Sequence, residues 1–151
     1  MNSGINSQIQ FTTERYPLLL FYDGECSFCA RWVDRVRKAD AAMRRMRYGR
    51  QQGQTFQRVK QLHPELANIE SVVLLKRRPD GGEDVFLRSD AIHEAIRGLP
   101  DFKFFDVVLK LVPKSLAEFG YKFIARERGN LFGLWHEDRP AIETDRELYV
   151  E

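Results

Sequence analysis

Two cysteines, Cys26 and Cys29, are the chain's whole complement of thiols, and they stand three positions apart in Asp23-Gly24-Glu25-Cys26-Ser27-Phe28-Cys29. At that spacing two side chains on a helix are neighbours, so a disulfide can close between them without unfolding a turn. The attacking species in thiol–disulfide exchange is the thiolate, which free backbone N–H groups and the positive dipole end at a helix start both favour. Cys26 lies where a helix is predicted to begin and is the candidate nucleophile. Cys29, one turn further in and on a stripe with Val33 and Val36, is the candidate resolving thiol. Gly24 permits a tight turn ahead of them. Asp23 either accepts a proton or holds the turn, and holding the turn is the better reading. Glu25 places a negative charge that opposes the thiolate.

A pair this close could equally be half of a zinc site, which would need two further ligands. The remaining candidates, His63, His93 and His136, are scattered and form no closely spaced pair, and there is no second Cys-x-x-Cys. The expectation is therefore no metal and no cofactor. Nothing resembles a phosphate-cradling glycine loop, a Ser/His/Asp set or a paired-carboxylate site.

The elements around the dithiol must hold it. Leu18–Tyr22 is apolar on both faces and too short for a helix, as a central buried strand should be, and Asp23-Gly24 ends it. Helical spacing follows, with Arg31, Asp34, Arg35 and Lys38 on the outer side. Met43–Tyr48 alternates and predicts a half-exposed strand; Gln51-Gln52-Gly53 reads as a loop. Thr55–Leu62 is a weak helix that His63-Pro64 should stop. Ser71–Lys76 is a second buried strand, and after the Pro79–Gly82 turn Val85–Leu87 returns as its hairpin partner. Ser89 is a plausible N-cap for a helix from Asp90 to about Arg97, ended by Gly98 and Pro100. Phe104, Val107, Val108 and Leu111 repeat at helical intervals before Pro113, a face expected to be core. Ser115-Leu116-Ala117-Glu118 reads as a capping box opening a last helix that runs to Gly129. Residues 131–151 carry no clear period.

This order predicts an α/β fold: a thioredoxin-like mixed sheet flanked by helices, with a C-terminal helical extension. The expected division is a flexible lead-in over 1–16, one domain over 17–133 and an acidic tail over 134–151. At 151 residues a single domain can bury a real core. Residues 31–60 hold ten Lys/Arg against two Asp/Glu, while 137–151 hold six acids against two arginines. These faces could meet within the molecule, though two separately solvated faces are the simpler expectation. Phe56 alone gives the basic stretch little aromatic interleaving, so no nucleic-acid partner is expected. No run approaches the ~20 apolar residues of a membrane span, and the polar first 16 residues are no secretory signal, which points to the cytoplasm.

The motif Asp23-Gly24-Glu25-Cys26-Ser27-Phe28-Cys29 resembles the Asp-Gly-x-Cys-x-x-Cys signature of the DCC family of thiol–disulfide oxidoreductases, a bacterial-type group. The likeness extends over about 18–133: Ser89-Asp90-Ala91 is similar to that family's Ser-Asp-Ala, Pro113 to its late proline, and Tyr121, Ala125-Arg126, Arg128 and Leu131-Phe132-Gly133 to its C-terminal segment. The resemblance implies a thioredoxin-like fold and redox chemistry at Cys26 and Cys29, with Asp23, Gly24, Ser89 and Asp90 supporting. Two departures accompany it. Many members carry another cysteine after the Phe-Gly, where Leu134-Trp135-His136 stands here. Thioredoxins proper place a proline before the strand that faces the dithiol; here Ile69-Glu70-Ser71 precedes Val72, and Ser71 is expected to face the site instead.

The leading expectation is an enzyme exchanging disulfides with a protein or a small thiol compound, its reducing partner unnamed. The competing one keeps the fold but not the turnover: a binding or assembly module with an inert or zinc-binding dithiol.

Overall fold

The computed structural model describes residues 10–131 and 146–151. In chain order the elements are β1 (Leu18–Tyr22), α1 (Ser27–Asp40), β2 (Met46–Arg50), α2 (Gln54–Leu62), β3 (Val73–Arg77), β4 (Glu83–Leu87), α3 (Arg88–Ile96), α4 (Lys103–Leu111), α5 (Lys114–Leu131) and β5 (Tyr149–Val150). The sheet runs β4-β3-β1-β2-β5. β1 lies parallel to β2 and antiparallel to β3, β3 is antiparallel to β4, and β2 is parallel to β5. This is the thioredoxin-like α/β arrangement.

All five residues of β1 are buried, which explains its unbroken apolar run. The pleat sends alternate side chains to opposite faces. Leu18, Leu20 and Tyr22 join Val33 and Val36 of α1 and Ala91, Ala95 and Ile96 of α3. Leu19 and Phe21 join Phe56 and Val59 of α2 on the other face. Each of the leucine, valine, isoleucine and phenylalanine side chains among them contributes about 1.5–3 kcal/mol on burial. β1, β2 and β4 all point the same way, and Phe21, Val73 and Leu87 lie in one row across the sheet. The starts of α1 and α3 are thereby brought to a single end of the sheet.

The exit from α1 depends on Asp40, which is buried although charged. Its carboxylate accepts from Arg45 N (2.8 Å), Met46 N (3.1 Å) and Arg45 Nε (2.9 Å). Arg44, in the left-handed region at φ 46°, turns the chain into β2. This moves the strand to Met46–Arg50 from the expected 43–48: the alternation of Met43–Arg45 belongs to the helix exit. Asp40→Ala would leave two backbone N–H groups and the Arg45 guanidinium without their acceptor and should cost about 3 kcal/mol. Urea unfolding with an unchanged m-value checks this.

Other expectations need correction. Residues 10–16 of the lead-in are tethered: Phe11 N and Thr12 N donate to Glu83 Oε1 at 2.8 and 2.6 Å, and Thr12 and Tyr16 are buried. Residues 1–9, and most of the acidic tail, lie outside the described residues. The tail's remainder is not irregular. Tyr149 and Val150 pair with Tyr48 and Gly49, and Glu151 O accepts from Thr55 N at the start of α2 (2.8 Å). Arg44 pairs with Glu147, so the basic stretch and the tail do meet.

Ser89 does not cap α3, whose first helical residue is Arg88 and whose cap, Leu87, makes no side-chain bond. Ser89 Oγ instead donates to Glu118 of α5, and Arg88 lies 3.9 Å from the same carboxylate. Glu118 is therefore directed to α3 and does not complete the predicted capping box; α5 itself begins at Lys114. The apolar face of α4 is not core either: Phe104 is 75% and Leu111 78% exposed. Among the described residues, no helix is long and apolar enough to cross a membrane.

Candidate active site

Leaving β1, the chain makes a tight turn over Asp23–Glu25 and enters α1 with Cys26 as its N-cap. An N-cap residue has extended backbone and offers a side-chain acceptor to a free N–H of the first turn. Cys26 does this with sulfur: its φ and ψ are −86° and 109°, and Sγ accepts from Cys29 N at 3.3 Å. Cys26 O also accepts from Ala30 N at 3.0 Å, closing the first helical turn. Neither cysteine is in a disulfide; both are partly exposed, with Cys29 Sγ 2.7 Å from Cys26 Sγ. An S–S bond measures about 2.05 Å, so the pair can close with little backbone movement. Cys29 leans on the buried cluster beside Val33, while Phe28, next to it, lies at the surface.

The turn is stitched from outside. Asp23 Oδ1 accepts from Glu25 N (3.0 Å) and from Gln52 Nε2 (2.8 Å), and Asp23 O accepts from Cys26 N (3.3 Å). Gln52 Oε1 accepts from Gly24 N (3.0 Å), so the Gln52 amide clasps both Asp23 and Gly24. Gln51 N donates to Tyr22 O (2.9 Å), and Gln51 Nε2 donates to Ser71 O. Gly24 favours this approach: a Cβ there would stand 2.8 Å from Arg50 Cδ and 3.1 Å from Gln52 Oε1, so both side chains would have to shift. Asp23 accordingly acts as a fastening of the turn.

Gln51 and Gln52, which from sequence read only as a loop, hold this turn in place. No local pattern announces them, because their partners lie 20 to 29 positions away. Gln52→Ala should slow alkylation of Cys26 at neutral pH several-fold and cost about 1 kcal/mol of stability. Gln52→Glu keeps an acceptor for Gly24 but sets a carboxylate against Asp23, so only partial rescue is expected. A pH–rate profile of alkylation separates the variants.

Ser71 sits at the same end of the sheet as the dithiol, just before β3. Its hydroxyl is buried and has no hydrogen-bond partner among the described residues. Ser89 and Asp90 also lie at this end, but they engage α5, Ser89 through Glu118 and Asp90 through Lys114 at 3.6 Å. On α1, Asp34 binds Arg37 (2.8 Å) and Lys38 (2.7 Å). Burial opposes its charge, yet the two cations prevail and hold the carboxyl below its ordinary range. Among the described residues no cluster of three or more His, Cys, Asp or Glu side chains is arranged to hold a metal ion.

A family model described as DCC1-like thiol-disulfide oxidoreductase matches residues 20–134, which take in both cysteines and most of the fold. No curated protein and no solved structure matches.

Proposed function

The chain belongs to the DCC1-like thiol-disulfide oxidoreductase family, and from that premise we propose that it exchanges disulfides through Cys26 and Cys29. The observation that carries the reading is the pairing of roles at the helix start. Cys26 Sγ takes a backbone N–H bond there, and the Cys29 thiol stands 2.7 Å away.

The Cys26 thiolate attacks one sulfur of a substrate disulfide, forming a mixed disulfide and expelling the other substrate sulfur as a thiolate. Cys29 gives up its proton to solvent and attacks Cys26 Sγ. The second substrate thiolate leaves, and the protein holds the Cys26–Cys29 disulfide. Two electrons pass from the dithiol to the substrate, and an external thiol reductant restores the starting state. The reverse sequence oxidises a substrate dithiol. Hydrogen bonding to the anion and the helix dipole favour Cys26 as the sulfur that ionises.

Asp23 and Gly24 shape the turn, and Ser71, with Ser89 and Asp90, borders the same end of the sheet. The substrate is a disulfide-bearing protein or a small-molecule disulfide, met in the cytoplasm. The working domain is 17–133.

The test is alkylation and mass measurement of both cysteines across a glutathione redox series. The expected result is one two-electron transition between about −270 and −200 mV, the span from thioredoxin to glutaredoxins. Dithiols that stay reduced throughout would overturn the proposal in favour of a binding module.

A further inference from the structure

Helices α4 and α5 leave large apolar side chains in solvent: Phe104, Val107 and Leu111 on the first, Leu116, Phe119 and Phe123 on the second. Each set recurs at three- and four-residue intervals and so forms one stripe on its helix. Isolated exposed apolar residues are ordinary, but six on two consecutive helices are not. Cations accompany them. Lys103, Lys122 and Arg126 are exposed on the same helices, while Lys114 faces Asp90 of α3, and residues 103–126 hold five Lys/Arg against two Asp/Glu. One of those acids, Glu118, is half-buried and bonded to Ser89 of α3, with Arg88 3.9 Å from its carboxylate.

We propose that α4 and α5 dock on the surface of an anionic bilayer, phenylalanines in the interface and lysines at the headgroups. Apolar stripes flanked by long cationic side chains are the chemistry of helices that lie in a membrane interface. Neither helix can span, so the contact is peripheral. Anionic lipid complements the excess of cations, and a fluid surface covers stripes on both sides of the Pro113 turn without requiring a matching shape. A second copy of the chain fits less well. A two-fold interface through these helices would set one cationic rim against another. The contact is independent of the dithiol chemistry.

The test is co-flotation of the full chain with vesicles of phosphatidylcholine alone and of phosphatidylcholine with phosphatidylglycerol. Binding is expected to be at least tenfold stronger to the anionic vesicles and to weaken in 0.5 M salt, which screens such attraction. The double variant Phe104→Ser, Phe119→Ser should lose at least tenfold. Met43→Ser, a change at an exposed apolar residue in the turn after α1, should lose nothing. Far-ultraviolet circular dichroism confirms that the variants are folded. No binding to anionic vesicles, or equal binding by the double variant, would overturn the proposal. So would concentration-dependent dimerisation abolished by the same two changes, which would give the face to a second copy.

Discussion

Cys26→Ser is expected to lower disulfide-exchange turnover by on the order of a thousandfold or more, because the attacking sulfur is gone. The substitution is structurally mild. Serine is among the preferred N-cap residues, so its hydroxyl can take over the bond from Cys29 N and the helix start should persist. Unchanged thermal stability with lost turnover would separate chemistry from folding. Cys29→Ser should behave differently: the first attack proceeds, but the mixed disulfide on Cys26 has no resolving thiol, since the chain holds only two cysteines. A covalent Cys26 adduct should accumulate and be visible by non-reducing mass analysis. Full activity in Cys26→Ser would remove that residue as the nucleophile, and equal adduct formation on both cysteines would remove the division of labour.

Gly49→Ala should cause a large loss of stability for the addition of a single methyl group. Gly49 lies in β2 between Phe21 of β1 and Val150 of β5. A Cβ at that position would stand 2.6 Å from Phe21 Cε1, 2.7 Å from Phe21 Cδ1 and 3.0 Å from Val150 Cγ2. The Phe21 ring cannot easily move aside. It is fully buried, with its centroid 4.9 Å from that of Phe56. Overpacking of this kind costs about 2–3 kcal/mol, equivalent to a fall in Tm of about 5–10 °C for a chain of this size. Gly120→Ala is the control. Nothing lies within 4 Å of its Cβ position, and alanine is the better helix former, so that variant should be neutral or slightly stabilised. If both substitutions left Tm unchanged, the seat of the Phe21 ring would be wrong.

Sequence made some of these features readable and hid others for identifiable reasons. β1 and β3 announce themselves because strands buried on both faces are continuous apolar runs. The dithiol at the start of α1 follows from spacing and a turn signal, both local. What failed was non-local. Ser89 before an acid looks like a cap, but its hydroxyl answers to Glu118, 29 positions on. Gln52 belongs to the turn before the dithiol only because parallel β1 and β2 bring their ends together. The stripe Phe104–Leu111 shows that residues share a face, but periodicity says nothing about what covers that face. Tyr149 and Val150 form a strand too short for any pattern, and only the exposed edge of β2 gives them a role.

That two-residue strand bears on how the molecule behaves among copies of itself. Without it, β2 would end the sheet as an open edge beside a cationic stretch, its unpaired N–H and C=O groups ready to accept any passing extended chain. Tyr149 and Val150 occupy that place, and the fastening of Glu151 to the start of α2 keeps them there. They supply from within the strand that a neighbouring molecule would otherwise supply, and leave at the sheet's rim an edge too short to template further addition. Protection of this edge of the sheet thus rests on a few residues about a hundred positions from the strand they shield.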